Sequence, residues 1–363
     1  MQTEQRSFCG VRQAFLIPLR WVALWTAVVL LPGAVLVAPA SASAKDQREK
    51  KEEKEKDEIP KPEDLVLRTG DGLELTLTYY PGTKGKETIP IVLLHMWKQS
   101  RNDYKDFAPV LQAMGYAVVV PDLRGHGEST RLKGARRDET LKAASMPPAQ
   151  FGAMITQDMK AVKDFLWERN NARELNIDKL CVVGAEMGAS VALNFALADV
   201  WDQDRNRVIR SDYKLGRFVK AIVLISPEPS SHGLALKAAA ASPAIQRDIA
   251  MMILVGSKNA KALERANRIY GLFEKSHTER VGDEKIDKCN LFFLRINTSL
   301  QGTKLLEPNM GVGIELYTRA EGAKKFDAKV TVQELIADFI HRRLQKSEES
   351  RDWTWKERKV PHE

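Results

Sequence analysis

The sequence predicts a three-layer α/β/α sandwich around a mostly parallel sheet of eight strands, formed by residues 64–345 of the 363. Short apolar runs alternate along this stretch with segments in which apolar residues recur every three or four positions, as strands and helices do in α/β proteins. The runs are apolar at consecutive positions, which is typical of parallel strands buried on both faces. A glycine-containing turn at residues 69–72 separates the first two runs and predicts an antiparallel hairpin.

Each predicted element corresponds to one such run or one such periodic segment. The predicted strands cover residues 65–68, 73–80, 89–94, 116–120, 179–183, 218–225, 249–255 and 291–296. The predicted helices cover residues 103–114, 151–170, 189–199, 260–274 and 330–344. In such a fold the binding crevice lies at the carboxyl ends of the strands.

The amino-terminal segment has the pattern of an export signal. Three arginines precede an uncharged apolar run at residues 21–40, and Ala-Ser-Ala at residues 42–44 resembles a cleavage site. Residues 1–44 are therefore predicted to be a signal peptide of an exported protein, periplasmic or extracellular. A run of this length also suits an uncleaved membrane anchor, so contact with a membrane is expected only if this segment is retained.

The distribution of charged residues does not indicate a nucleic-acid partner. The formal net charge is +8, with 29% charged residues, but lysine and arginine are not concentrated in one stripe as in most nucleic-acid binders. Residues 45–63 mix bases with acids and are interpreted as a charged linker. Residues 346–363 are interpreted as a carboxyl-terminal tail that packs against its own domain.

No metal or cofactor site is predicted. The sequence contains neither a His-x-x-x-His pair nor a closely spaced cysteine pair, and it has no phosphate-binding glycine loop. Cys181 and Cys289 belong to strands that the predicted order separates by more than disulfide reach. A small-molecule or protein ligand in the crevice is compatible with this composition.

The most informative motif is a strand-to-helix turn at residues 184–188. Gly184 and Gly188 flank Glu186, after an apolar strand and before a helix rich in small residues. This is the layout of a nucleophile elbow, Gly-x-Ser-x-Gly, in which the serine hydroxyl attacks the substrate. Here a carboxylate replaces the hydroxyl.

Two further segments precede this turn in the chain. His95 and Met96 follow a buried strand, and a second segment reads Asp-Leu-Arg-Gly-His-Gly-Glu-Ser from Asp122. The order of these segments resembles the α/β-hydrolase superfamily, whose members often carry Asp-x-Arg-Gly-His-Gly-x-Ser before the elbow. The resemblance implies an oxyanion segment at His95 and Met96, and a structural turn formed by Asp122, Arg124, Gly125, His126 and Gly127.

The resemblance identifies where the rest of a Ser/Asp/His triad would stand. The acid is expected after the next-to-last strand, where the sequence has Asn259 in Gly-Ser-Lys-Asn, and the histidine after the last strand, where it has Gln301. Serine attack needs a base and an orienting acid. With Glu186, Asn259 and Gln301 at these positions, the triad is degenerate and acyl-enzyme chemistry is not expected.

Two functions remain open at this stage. The first is a pseudoenzyme, a non-catalytic binding or scaffold protein on a hydrolase fold. The alternative is an atypical hydrolase that uses Glu186 as nucleophile or base on a small ester, halide or epoxide-like substrate, with Glu228 and His232 as a relocated acid and base. Met187 stands at the start of the following helix, and its free backbone N–H would complete an oxyanion site with Met96. We also expect Gln301 or a crevice lysine to bond the Glu186 carboxylate.

Overall fold

The computed structural model describes residues 59–134, 138–205, 214–277, 290–307, 313–318, 322–326, 330–347 and 349–359. The predicted leader, most of the linker, Cys289 and the last four residues lie outside these ranges. Within them, no helix is both long and apolar enough to cross a membrane.

Fourteen strands are present in the described residues. They are β1 Glu63–Arg68, β2 Glu74–Tyr80, β3 Pro90–Leu94, β4 Ala117–Pro121, β5 Arg131–Leu132, β6 Glu139–Thr140, β7 Leu180–Ala185, β8 Val219–Ile225, β9 Ser230–Ser231, β10 Leu234–Ala235, β11 Ala250–Gly256, β12 Leu291–Ile296, β13 Ile314–Thr318 and β14 Gly322–Phe326. Ten of them form one sheet in the order β1-β2-β4-β3-β7-β8-β11-β12-β13-β14. The six central strands, β4 to β12 in this order, are parallel.

The α-helices flank this sheet. They are α1 Ala108–Ala113, α2 Pro148–Ala153, α3 Met159–Asn171, α4 Met187–Arg205, α5 Lys237–Ala240, α6 Pro243–Asp248, α7 Ala260–Phe273 and α8 Val332–His341. A π-helical turn, Met154–Asp158, joins α2 to α3.

Two separate apolar clusters lie on the two faces of the sheet, which gives the three layers. Within β3, Val92 and Leu94 contribute to the cluster that holds α3, α4 and α7, whereas Ile91 and Leu93 contribute to the cluster that holds α1 and α8. This alternation follows from the period of two along a strand. A strand apolar at every position is therefore buried on both sides.

The predicted fold class is confirmed, with two corrections. The sheet has ten strands instead of eight, because β13 and β14 add an antiparallel hairpin beside β12. The predicted helix at residues 103–114 begins later, at Ala108, after a 3₁₀ turn over Arg101–Tyr104. Pro109 explains the start, since proline lacks an N–H and fits the first turn of a helix.

The carboxyl-terminal segment from Trp353 to Lys359 lies as an extended strap on the end of α3. The Asn176 side chain donates to the carbonyl of Trp353 (2.8 Å), and the Trp355 indole N–H donates to the carbonyl of Asn170 (3.0 Å). Arg358 forms a buried ion pair with Asp178.

Candidate functional site

The elbow at Glu186 is formed by the close approach of β7 and α4. Glu186 links the two elements with a positive φ of 48°, which is uncommon for a non-glycine residue. A Cβ atom placed on Gly184 would lie 2.2 Å from the carbonyl oxygen of Gly188, and one placed on Gly188 would lie 2.3 Å from that of Leu94. Both positions therefore require glycine, and they hold residue 186 at the tip of a sharp turn.

The half-buried Glu186 carboxylate lies beside Met96 and Gly302. A Cβ atom on Gly302 would lie 3.1 Å from Glu186 Oε1 and 2.2 Å from Met96 Sδ. The carboxylate makes no hydrogen bond or ion pair with any residue in the part of the chain that the structure describes. The expected bond from Gln301 or a lysine is therefore wrong.

Burial and nearby charges raise the pKa of Glu186 above its usual value. Desolvation is the largest cause, and the negative charges of Glu228 and Asp103 act in the same direction, while Arg265 and Lys304 oppose them. The pKa of Asp103 is also raised by burial, against a hydrogen bond from Thr303. Burial thus disfavours the charged form of both carboxyl groups relative to the same groups in water.

The side-chain amide of Gln301 is hydrogen-bonded to residues at the ends of β8 and β11 and does not reach Glu186. Its Nε2 donates to the carbonyl of Gly256 (3.0 Å), and its Oε1 accepts a hydrogen bond from Ser226 Oγ (2.8 Å). Ser226 Oγ also accepts from the N–H of Gly302 (2.9 Å). The amide at the expected histidine position therefore joins β8, β11 and the loop after β12, and its polar atoms are used in that junction.

Ser226 was not singled out in the sequence. It follows β8 at the carboxyl edge of the sheet and has a φ of 48°. Its place directly after an apolar run is the signal that could have identified it, since crevice residues follow such runs.

Asn259 serves as the amino-terminal cap of α7. Its side-chain oxygen accepts from the N–H of Ala262 (3.1 Å), as asparagine commonly does at this position. Glu228, the relocated acid considered above, forms an ion pair with Arg265 and makes no hydrogen bond to His232 among the described contacts. The structure therefore does not pair Glu228 with a histidine base.

His95 is a buried structural histidine with one defined tautomer. Its Nε2 accepts from the N–H of Leu123 (2.9 Å), so the proton is on Nδ1, which donates to the carbonyl of Met96 (2.7 Å). Burial lowers the pKa of His95 to about 4. Both ring nitrogens are thus occupied, and the ring fixes the loop after β3 to the turn after β4.

The turn after β4 is held by two buried charged side chains. Asp122 accepts from the backbone N–H groups of Arg101 (2.7 Å) and Glu128 (2.9 Å). Arg124 donates to Asp158 on the π-helical turn and to Asp71 in the first hairpin, at 2.6 and 2.7 Å.

Glycine is required twice in this turn. Gly125 and Gly127 have φ values of 77° and 50°, and a Cβ atom on Gly127 would lie 2.2 Å from the carboxyl carbon of Asp122. His126 is buried between them, with Nδ1 3.0 Å from the carbonyl of Arg124 and Nε2 without a hydrogen-bond partner among the described residues.

These contacts define what the described residues can do chemically. Met96 and Met187 both lie beside Glu186, and Met187 begins α4, whose first N–H groups have no intrahelical acceptor. No histidine among the described residues is hydrogen-bonded to Glu186, and no group of three metal-ligating side chains is found among them. The site offers a carboxylate and backbone donors but, within this part of the chain, no adjacent base.

A groove of about 810 Å³ lies elsewhere, between β1 and α3. Its walls include Val66, Asp71, Gln157 and Phe165, and none of the residues around Glu186 lines it. The chemistry of the elbow, rather than the size of this open groove, identifies the candidate site.

Comparison with known families agrees with this architecture. Residues 89–251, which include β3, the turn after β4 and the elbow, match the family model for the alpha/beta hydrolase fold. The chain has an α/β-hydrolase fold. The hydrolase-fold domain is extended at its far edge by β13 and β14.

Individual relatives are distant. The chain is 32% identical over 107 residues to the soluble epoxide hydrolase of Corynebacterium sp. (strain C12). This match covers 30% of this chain and 29% of that protein. The matched stretch thus spans less than a third of the curated relative. Solved structures of similar fold include an esterase from Rhizomucor miehei (14% identity, TM-score 0.44, 73% of this chain and 85% of that one). Dienelactone hydrolase from Anabaena variabilis ATCC 29413 is also similar (15% identity, TM-score 0.40, 60% and 83%).

Proposed function

We propose that this protein is an exported, non-hydrolytic member of its fold class, and that its crevice binds a ligand which presents a cation or a hydrogen-bond donor to Glu186. The observation that carries the proposal is the bonding of Gln301. Its amide replaces the expected base and is bonded to Gly256 and Ser226, and a neutral amide is too weakly basic to act as a general base near neutral pH.

The state of Glu186 supports the second part of the proposal. A half-buried carboxylate without a partner is unfavourable, and its raised pKa reports the same penalty. A ligand that donates a proton or brings a positive charge would remove this penalty on binding. The first N–H groups of α4 beside it offer a second polar contact.

Two observations favour the alternative of an atypical hydrolase. Glu186 has the elbow backbone conformation, and the distant Corynebacterium relative is named a soluble epoxide hydrolase. A carboxylate nucleophile would attack an epoxide carbon and form a hydroxyalkyl glutamyl ester, as the ring C–O bond breaks and the resulting alkoxide takes a proton from water. A base must then activate a second water to hydrolyse the ester and release the product. Without such a base the ester would remain on the enzyme.

The two candidates are separated by intact-protein mass spectrometry. The full chain is incubated with styrene oxide and with p-nitrophenyl acetate, and Glu186→Gln serves as the matched control. We expect neither a covalent adduct nor ester turnover above the control. An adduct that maps to Glu186 and is absent from the variant would establish the hydrolase alternative.

Ligand binding is tested with pairs of probes of equal shape, benzylammonium against benzyl alcohol and cyclohexylammonium against cyclohexanol. We expect the ammonium member of a pair to bind the parent about tenfold more tightly, a factor equal to about 1.4 kcal/mol. Glu186→Gln should lose this preference. Equal affinity of the two members, or a preference that persists in Glu186→Gln, would refute the role assigned to the carboxylate.

A further inference from the structure

A short hairpin between β8 and β11 carries His232 at its tip. β9 and β10 pair antiparallel, and the loop between them consists of His232 and Gly233, with φ values of 51° and 85°. Two consecutive positive φ angles define the tight turn that best fits the twist of a hairpin. The N–H of Leu236 donates to the carbonyl of Pro229 (3.1 Å) and closes the base of the hairpin.

The His232 ring lies between two aromatic rings from other elements. It stacks on Phe151 of α2 at 4.5 Å between centroids and 14° between planes, and it lies 4.7 Å from Trp97, which follows β3. Its Nδ1 is 3.0 Å from Ser231 Oγ. Three loops or helices that are far apart in sequence therefore meet at this one side chain.

The strand order places this contact across the elbow. β3, β7 and β8 are neighbours, in that order, and all three are parallel, so their carboxyl ends lie at the same edge. Neighbouring strands are about 4.8 Å apart. A hairpin that starts after β8 and reaches Trp97 after β3 must therefore cross the end of β7, where Glu186 stands.

The hairpin is also attached to the helix that begins at the elbow. Asn194 of α4 donates from Nδ2 to the carbonyl of Ala235 (3.4 Å), and Leu234 and Leu236 are buried in the same apolar cluster as α4. The base of the hairpin is thus fixed, whereas the tip is held by the contacts of His232. We therefore expect removal of that ring to leave the base in place and to open the tip.

We propose that His232 is the gate of the crevice, a residue that closes the gap between Phe151 and Trp97 and so limits the size of the ligands that reach Glu186. This inference rests on the proposed function in one respect only, that the crevice at Glu186 receives a ligand. The gate itself is a property of the closed hairpin. It can be tested without any ligand.

The test uses a cysteine introduced at the elbow as a reporter of access. Glu186→Cys is made in the full chain with Cys9 and Cys289 replaced by serine. Labelling rates are then measured with a small reagent, methyl methanethiosulfonate, and a bulky one, fluorescein maleimide. Cys181 is retained, because it is fully buried in β7 and would be labelled only on unfolding.

We expect His232→Ala to raise the bulky-reagent rate at the introduced elbow thiol at least about tenfold, because two ring contacts that hold the tip are lost. The small-reagent rate should change much less. His232→Phe, which retains a ring between Phe151 and Trp97, should keep the low rate. Trp201→Ala is the matched control. Trp201 is also an exposed aromatic residue, but it lies on α4 and does not contact the rings of His232, Phe151 and Trp97 among the described contacts.

The proposal is overturned if the bulky reagent reacts at the same rate in the parent and in His232→Ala. It is also overturned if His232→Phe or Trp201→Ala reacts as fast as His232→Ala. Labelling of Cys181 would reveal global unfolding, so the rates are compared under conditions in which Cys181 stays unlabelled in every variant. Failure of the ammonium-binding experiment would leave these rates unaffected, so the two proposals fail separately.

Discussion

Replacement of Arg124 by methionine should destabilise the fold by removing the only charge-balancing contact that Asp158 makes among the described residues. Arg124 is fully buried, and its Nη2 lies 2.6 Å from Asp158 Oδ1, whose side chain is 1% exposed. Loss of one partner of a buried ion pair costs about 3–5 kcal/mol, since the other charge is left without compensation. Because Asp158 can take up a proton instead, we expect the free energy of unfolding of Arg124→Met to fall by about 2 kcal/mol at pH 7.5 and to approach this range only at higher pH.

The pH dependence gives this prediction a specific signature. Burial raises the pKa of Asp158 to about 6, although hydrogen bonds from Arg124 oppose the rise. A carboxyl group whose pKa is higher in the folded state destabilises the protein progressively as pH rises through that pKa. Without Arg124 the folded-state pKa is higher still. The difference between parent and variant should therefore be small near pH 5 and grow above pH 6 by up to about 1.4 kcal/mol per pH unit, until the pH exceeds the raised pKa of Asp158 in the variant.

Urea unfolding followed by circular dichroism at pH 5, 6, 7 and 8 measures both effects. The control is Arg124→Met combined with Asp158→Leu, which should recover most of the loss because an apolar pair can replace a buried ion pair at little cost. Asp71, the other partner of Arg124, is 31% exposed and remains hydrated. A cost below about 1 kcal/mol, as for a surface pair, or a cost independent of pH, would refute the reasoning.

Three further changes probe the site and the strap. Glu186→Gln should raise the thermal midpoint more at pH 8 than at pH 5, because burial and neighbouring acids disfavour the charged carboxylate; a lower midpoint at pH 8 would contradict this. Gln301→Ala should lower the free energy of unfolding by about 1–3 kcal/mol through loss of its bonds to Gly256 and Ser226; unchanged urea unfolding would argue against that junction. Asn176→Ala should speed amide hydrogen exchange in the strap, whose Trp353 carbonyl loses a donor; equal exchange would show that other contacts suffice.

The central sheet could be predicted from sequence because burial on both faces leaves a simple pattern. The segment 218–225 is apolar at almost every position, and β8 covers 219–225. β13 was missed for a physical reason. Its five residues, Ile-Glu-Leu-Tyr-Thr, alternate over too short a span to stand out, and the strand forms by pairing with β12, a contact that no local pattern encodes.

Site positions could be predicted from sequence where the backbone geometry requires a particular residue type. Hydrogen-bond and ring contacts between side chains far apart in the chain could not be predicted. Gly184 and Gly188 are required by the approach of α4 to β7 and β3, so the elbow could be located. The partner of Gln301 could not, because Ser226 is 75 positions away and meets it only through the sheet order. The same holds for the contact between His232 and Phe151.

The backbone of the elbow and the carboxylate on it have different explanations. The positive φ at Glu186 follows from the packing of Gly188 against Leu94, which would impose it on any residue at this position. The choice of glutamate does not follow from packing. Asparagine or glycine would tolerate this φ better. Both are neutral, so they would avoid the desolvation penalty of a charged side chain and the repulsion from Glu228 and Asp103. A residue that is unfavourable on three independent counts, and that has no compensating bond among the described residues, is better explained by a ligand than by the stability of the fold.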